Sequence, residues 1–292
     1  MKKLLLSLLL LLSLAAFAAP TDYKVYYVRG VVKKGVQVLR RGDSLSVQDA
    51  VQLSAGAELY LLCRDYNLVQ LKKAGAYKLR DVATCPAKNT SLTASYFRYV
   101  WDELRSHHGD PEKNPRHYMR NKGAVTRAGC NDPKFRSALF VDTIISSGGN
   151  LPLYWKAAAD TSWLTVYAAP NGGAPLHTTV LPKGAPLGLI DLQVAAPESN
   201  ELYWFVGSAD GGDCARKYLL LLPAPEYQLR VQDLLQQVVP TTPFETALMK
   251  GFLLEEAHYL QEALLYYAEA FRLQPNNPRA KTALMHYYEL PE

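Results

Sequence analysis

The chain has 292 residues, of which 49% are hydrophobic and 20% charged, with a formal net charge of +5. That length exceeds one ordinary domain and points to two or three, with ample apolar content for folded cores. The basic excess is too mild for a nucleic-acid surface, and Lys2 and Lys3 contribute to it from a segment expected to be removed.

Met1 to Ala18 reads as a secretory signal peptide. Lys2-Lys3 is its charged start, Leu4 to Leu14 its apolar core, and Ala16-Phe17-Ala18 the small-x-small site that a signal peptidase reads. The apolar run is short for a membrane span, and no later run is long enough for one. No cysteine follows the core, so no lipid anchor is expected. The mature chain is expected to begin at Ala19, to carry no transmembrane span and to act outside the cytoplasm, in the periplasm, the cell envelope or the medium. An uncleaved anchor is the alternative.

Export bears on the four cysteines, because disulfides persist in oxidising compartments. Cys63 alternates with Leu59 and Leu61 and should point into a β-core. Cys85 follows closely, and Cys130 and Cys214 bracket the next region. The favoured pairing is Cys63 with Cys85 and Cys130 with Cys214, each worth about 3–4 kcal/mol by loop closure. Four unpaired core thiols are the alternative.

Residues 20–85 read as a small all-β domain. Strands are expected at Lys24 to Val28, Val31 to Leu39, Ser44 to Val47, Val51 to Leu53, Glu58 to Cys63, Leu68 to Leu71 and Tyr77 to Leu79. They are rich in Val, Leu and Tyr and are punctuated by Gly30, Gly35, Gly42-Asp43, Gly56 and Gly75. The order Gly30-Val31-Val32, Leu39-Arg40-Arg41-Gly42-Asp43-Ser44-Leu45 and Val51-Gln52-Leu53 resembles the FecR-like domain of bacterial cell-envelope proteins. In that family a strand leads to a Gly-Asp turn and on to the body of the sheet. Its sensor members also carry a membrane helix and a cytoplasmic sigma-factor-binding part, which this sequence does not show, so transmembrane signalling is not implied. Arg41-Gly42-Asp43 also spells an integrin-binding tripeptide, but a Gly-Asp turn between strands accounts for it.

Residues 90–134 read as a linker helix and a basic loop. Leu92 to Ser106 is expected to be helical, with Tyr96, Tyr99, Val100 and Leu104 as its inward stripe, bridging two β-regions. Between Lys113 and Arg136 basic residues outnumber the single acid, Asp132. This stretch is either a patch for phosphate or anionic glycan or a solvated connector, and its charges select no face. His107, His108, Asp110, His117 and Cys130 are suitable metal donors by type, yet they match neither a helical His pair at four residues nor a paired-cysteine knuckle. A Cys130–His117 nucleophile pair lacks a recognisable orienting group. No catalytic, cofactor or metal site is expected.

Residues 135–224 return to strands. Leu151, Leu153 and Trp155 alternate, as do Leu164 and Val166, and Leu202, Trp204 and Val206. Turns fall at Gly148-Gly149-Asn150, Pro170-Asn171-Gly172-Gly173 and Asp210-Gly211-Gly212, a spacing that suggests a sandwich of about seven strands. Trp155 and Tyr203-Trp204 resemble the core aromatics of immunoglobulin-like or fibronectin-like modules. A glycan platform is the alternative role for those tryptophans.

Residues 225–292 read as helical. Tyr227 to Val238 carries an apolar stripe of Val231, Leu234, Leu235 and Val238. Thr242-Pro243-Phe244-Glu245 has the form of a capping box with proline at the first helical position. A second helix is expected from Tyr259 to Leu273, with Leu260, Ala263, Leu264, Tyr267, Ala270 and Phe271 on one stripe. Gln274 to Pro278 ends it and restarts a helix with Leu284 and Tyr288 inward. Gly251, Ala263, Tyr267, Ala270 and Pro275 fall in ungapped register with a tetratricopeptide repeat, which the stretch resembles over one repeat and the opening helix of another; an unrelated α-hairpin is the alternative. Ala247 and Leu254 stand where that family usually has an aromatic and a tyrosine. The resemblance implies that Gly251 lies at a close crossing opposite Ala263. It also implies that the concave side of the first helix, Glu245, Leu248, Phe252 and Glu255, contacts a protein ligand. A single repeat cannot bury its own face, so Leu248 and Phe252 are either a groove or covered, with Tyr227 to Val238 as the expected cover.

The fold class expected is therefore multidomain β and α: two all-β domains, FecR-like and then immunoglobulin-like, followed by a tetratricopeptide-like helical region. The expected function is non-enzymatic protein binding or scaffolding in a bacterial envelope, with a protein partner and no nucleic acid. A glycan- or peptidoglycan-binding module is the second reading. A hydrolase with a site scattered through the sandwich is the third.

Overall fold

The computed structural model describes residues 22–82, 92–105, 135–137, 143–148, 150–153, 155–157, 161–182, 188–191, 200–207 and 216–285. The leader, Cys85, Cys130, Cys214, His107, His108, Asp110, His117 and Tyr288 lie outside these residues, as does the basic stretch apart from the strand that ends it. The chain divides into two compact units, Met1–Thr90 with Val100–Arg105, and Ser91–Tyr99 with Ser106–Glu292. The architecture is mixed, with β-sheets in the N-terminal and middle parts and a helical C-terminal region.

The first unit contains β1 (Tyr23–Arg29), β2 (Val32–Lys34), β3 (Gln37–Val38), β4 (Ser44–Leu45), β5 (Ala50–Leu53), β6 (Glu58–Cys63), β7 (Leu68–Leu71), β8 (Gly75–Lys78) and the short helix α1 (Leu79–Val82). They make two four-stranded sheets, ordered β4-β1-β6-β7 and β3-β2-β5-β8, with antiparallel pairing throughout. Both sheets feed one core: Val25, Leu45, Leu59, Leu61 and Leu71 come from the first, Val32, Val51 and Leu53 from the second. Strand β5 shows the pattern behind this, with Val51 and Leu53 buried and Ala50 and Gln52 exposed. The run expected as one strand from Val31 to Leu39 is instead a hairpin. Lys34 pairs with Gln37 around Gly35, whose φ of 57° is the left-handed conformation such a two-residue turn requires. At the Arg-Gly-Asp tripeptide, the Asp43 carboxylate accepts the Arg40 amide at 2.8 Å, and Gly42 has a φ of 92°. That carboxylate is thus engaged in its own turn. Cys63 is fully buried and disulfide-bonded.

The second unit begins with the first part of α2 (Leu92–Arg105), through Tyr99. Its strands are β9 (Phe135–Ser137), β10 (Thr143–Ser146), β11 (Asn150–Leu153), β12 (Trp155–Ala157), β13 (Thr161–Tyr167), β14 (Pro175–Pro182), β15 (Gly188–Asp191), β16 (Glu201–Gly207) and β17 (Lys217–Leu221). Helices α3 (Ala224–Leu235), α4 (Pro243–Glu256), α5 (Leu260–Leu273) and α6 (Pro278–Met285) follow. A five-stranded sheet runs β10-β17-β16-β13-β14, antiparallel except for β10 beside β17; β11 pairs with β15 and β12 with β9.

Sheet and helices share one core. Ile144, Leu164, Val166, Leu202, Trp204 and Leu219 are buried together with Tyr227, Phe244, Leu248, Leu254, Leu264 and Tyr267. The expected border near residue 224 therefore crosses a continuous apolar interior. The outer edge of β10 is tied to the α4–α5 corner, where the Ile145 amide donates to the His258 carbonyl at 2.9 Å and His258 adopts a φ of 70°. Trp204 is buried, which places it in the core and not on a glycan platform. Among the described residues no helix is long and apolar enough to cross a membrane.

In the first unit, burial and the Glu58 carboxylate, which accepts its hydrogen bond at 3.1 Å, push the Tyr60 phenol up to about 12. An unfolded tyrosine titrates near 10, so the folded state holds its proton longer. The stabilisation is complete below a pH of about 10 and is lost as pH rises through about 12. Denaturant unfolding at a series of alkaline pH values should show that loss, and Tyr60→Phe should flatten it.

Candidate functional site

The most elaborated polar arrangement among the described residues lies along α4, and the chain's own capping rules build its first part. Thr242 has an extended backbone (φ −74°, ψ 154°), and its Oγ1 accepts the Glu245 amide at 3.2 Å. Pro243 takes the first turn, where its missing amide costs nothing. The capping box is half made: Glu245 turns inward instead of reaching back to Thr242, and it meets Arg279 of α6.

Asn277 caps α6, its Oδ1 accepting the Arg279 amide at 3.0 Å. The Arg279 guanidinium donates Nη1 to Glu245 Oε2 at 3.1 Å and Nη2 to Oε1, and both side chains are under a tenth exposed. The guanidinium carbon lies 5.1 Å from the Phe244 ring centroid. The Tyr96 hydroxyl of α2 donates to Glu245 Oε2 at 3.4 Å. A buried charge pair persists when its lone pairs and protons are spoken for, and this carboxylate accepts three hydrogen bonds.

Further along the same face, Phe252 receives two aromatic rings from α2. Tyr96 meets it edge-on at 5.5 Å and Tyr99 stacks on it at 5.7 Å. Thr93 and Gln237 add a side-chain hydrogen bond at 3.4 Å. The four residues expected to contact a partner are thus on one face of α4, but that face is covered. Glu245, Leu248 and Phe252 are buried, and Leu248 belongs to the core shared with the sheet. Glu255 is half-buried and accepts the Tyr267 hydroxyl at 2.5 Å.

Of the two expected outcomes, a groove or a covered face, burial gives the covered one. A short helical stack must bury its apolar face, and the aromatic side of α2 meets Phe252. Helix α3, the cover expected from sequence, packs against α4, and its Tyr227 also meets the start of α5. The Tyr227 ring lies 5.2 Å from Tyr259 and its hydroxyl donates to Glu262; burial and that carboxylate hold the Tyr227 phenol far above its usual range.

Sequence reading missed Arg279 and Tyr96 as members of this arrangement. One signal existed: a cation in the first turn of a helix opposes the helix dipole, so Arg279 directly after Asn277-Pro278 implies a tertiary partner. Among the described residues no group of His, Cys, Asp or Glu could hold a metal ion. What α4 places on this face is an aromatic cluster beside a paired carboxylate.

Gly251 does mark a close crossing, and the atoms nearest a Cβ placed there belong to Tyr267. A Cβ there would lie 2.5 Å from Tyr267 Cδ1 and 2.6 Å from Cε1. The ring cannot yield cheaply, since Tyr267 is buried and its hydroxyl is bonded to Glu255. Comparison with protein-family models, curated proteins and solved structures finds no match for this chain.

Gly251→Ala should lower stability. Overpacking costs about 1–3 kcal/mol, against about 1 kcal/mol gained in helix propensity. Gly251→Leu should cost more, and Tyr267→Leu should partly rescue Gly251→Ala; thermal melts of the set would check this. Arg279→Leu should cost about 3–5 kcal/mol because it strands a buried carboxylate. The double change Glu245→Leu with Arg279→Leu should cost less than that single change, as read by denaturant titration.

Proposed function

We propose that this chain is a non-enzymatic, exported protein-binding or scaffolding protein of a bacterial envelope, with its helical region as the binding element. The observation that carries the reading is that α4 already receives a helix from far away in the sequence: α2 lays aromatic side chains on Phe252 and a phenol on Glu245. That is helix recognition by a helical face, carried out within one chain. Export rests on the leader-like start, and the tetratricopeptide-like reading on the register of Gly251, Ala263, Tyr267, Ala270 and Pro275.

The β-parts of the reading have support of different strength. The sheet order β17-β16-β13-β14, with β11 beside β15, is the pairing an immunoglobulin-like sandwich makes, and it favours that identity for the middle region. The FecR-like identity of the first unit rests on its turn sequence alone. The glycan-binding alternative loses one candidate surface with the burial of Trp204.

Capture from the native envelope, run beside sedimentation with insoluble peptidoglycan, separates the two readings. Wild-type protein should retain a protein partner and stay off the polysaccharide. Leu248→Ser with Phe252→Ser, which opens the helical core, should abolish capture while the first unit still melts as before. Co-sedimentation with peptidoglycan in both forms would overturn the proposal in favour of the glycan reading.

The disulfide expectation belongs to the same proposal, because an exported chain meets oxidant. Non-reducing peptide mapping should return Cys63 linked to Cys85 and Cys130 linked to Cys214. A Cys85–Cys130 link would refute that assignment.

A further inference from the structure

The outward face of the sheet β3-β2-β5-β8 in the first unit carries apolar and basic side chains and no acid. Val32 and Leu39 are buried, so alternation turns Val31, Lys33, Val38 and Arg40 outward, and all four are exposed. Lys33 and Val38 are direct cross-strand partners. On the other side of Lys33, β5 and β8 add Ala50, Gln52, Ala76 and Lys78, likewise exposed, while Val51, Leu53 and Leu79 are buried. The acids nearest in sequence are held in turns: the Asp43 carboxylate accepts the Arg40 amide at 2.8 Å, and Asp49 accepts Lys34 Nζ at 2.7 Å. With Asp43 set against Arg40, the charge that remains on the face is that of Lys33 and Lys78.

The hairpin that joins β2 to β3 ends on an apolar residue. Its two-residue turn is Gly35-Val36, and Val36 is 100% exposed. Val31 and Val38 are 46% and 48% exposed. One exposed valine is ordinary, but three on one hairpin with a lysine among them form a patch, and folding gives no reason for it. A sugar ligand would call for aromatic faces or several hydrogen-bonding side chains. The strands offer no ring on this face and one amide, Gln52, beyond their cations. Valines among lysines suit a surface that is negatively charged on top and apolar beneath, which is an anionic phospholipid bilayer.

We infer that this sheet face is a peripheral membrane-binding surface for anionic phospholipid, with Val31, Val36 and Val38 entering the interface and Lys33 and Lys78 meeting the headgroup phosphates. The surface lies in the first unit and acts whatever the helical region binds. Each lysine held near such a bilayer contributes about five-fold to binding, and salt screens that attraction. The valines add a contribution that salt does not screen.

The test is co-sedimentation of the chain from Ala19 onward, so that the apolar leader contributes nothing, with vesicles of phosphatidylcholine alone or of phosphatidylcholine and phosphatidylglycerol in equal parts. Wild-type protein should bind the mixed vesicles at least about twenty-fold more tightly than the neutral ones. Lys33→Gln with Lys78→Gln should weaken binding to the mixed vesicles about 25-fold, and Val36→Ser about five-fold. Both variants should melt as wild type does, because the altered side chains are exposed. Equal binding of wild type to the two vesicles, or no binding to either, would overturn the inference. Binding to mixed vesicles that both variants retain would overturn it as well, by placing the membrane contact elsewhere on the chain. Dextran sulfate serves as a polyanion without an apolar layer. If the lysine pair weakens binding to it as much as to vesicles, and Val36→Ser changes neither, the face is a polyanion site and the lipid assignment fails.

Discussion

A carboxylate and a guanidinium removed from water are tolerable only when each is fully partnered, and the Glu245–Arg279 pair sets that condition for the helical region. It joins the first turn of α4 to the first turn of α6, skipping the helix between them. Because Arg279 sits where the dipole of α6 disfavours a cation, the pair must offset that penalty as well as its own desolvation. The guanidinium lies over the Phe244 ring, Thr242 and Asn277 cap the two helices, and Tyr96 donates to the carboxylate. A geometric requirement at one point thus aligns three helices, which weaker and less directional apolar contacts would not do alone.

The remainder of the second unit is arranged by burial. Tyr267 fills the space left by the missing side chain of Gly251, and its hydroxyl finds Glu255 one turn further along α4. Tyr227 solves the same problem at the start of α5 with Glu262. Each of these tyrosines contributes a large apolar body and places its one polar atom on a carboxylate, which is how a buried phenol avoids an unmet hydrogen bond. On the sheet side, Arg216 performs the reverse service. It stacks over Tyr167 at 3.3 Å and donates to the carbonyls of Ala169 and Gly172, holding the loop between β13 and β14 in place.

The sheet face and helices α3 to α6 form one interior, so α4 is anchored on one side by Leu248 and Leu254. On another side its Phe252 and Glu245 meet Tyr96 and Tyr99 of α2.

Much of the local structure was legible in the sequence. Thr242-Pro243 and Asn277-Pro278 announced two helix starts, the spacing of Leu260, Ala263, Leu264 and Tyr267 announced the helix between them, and alternation announced β5 and β16. Such signals act over three or four residues and depend only on backbone capping and on which face must be dry. Gly35 belongs to the same class, although the hairpin it makes was read as one strand. The tertiary structure alone decided that Glu245 turns from its cap to Arg279, that the Tyr267 ring fills the space at Gly251, and that Tyr96 and Tyr99 of α2 lie on Phe252. Tyr96 and Glu245 are 149 residues apart. Several apolar stripes in this chain could have covered α4, and choosing among them depends on which one also satisfies the buried carboxylate and fits the space beside the ring. That choice is made by packing in three dimensions, and no local pattern encodes it.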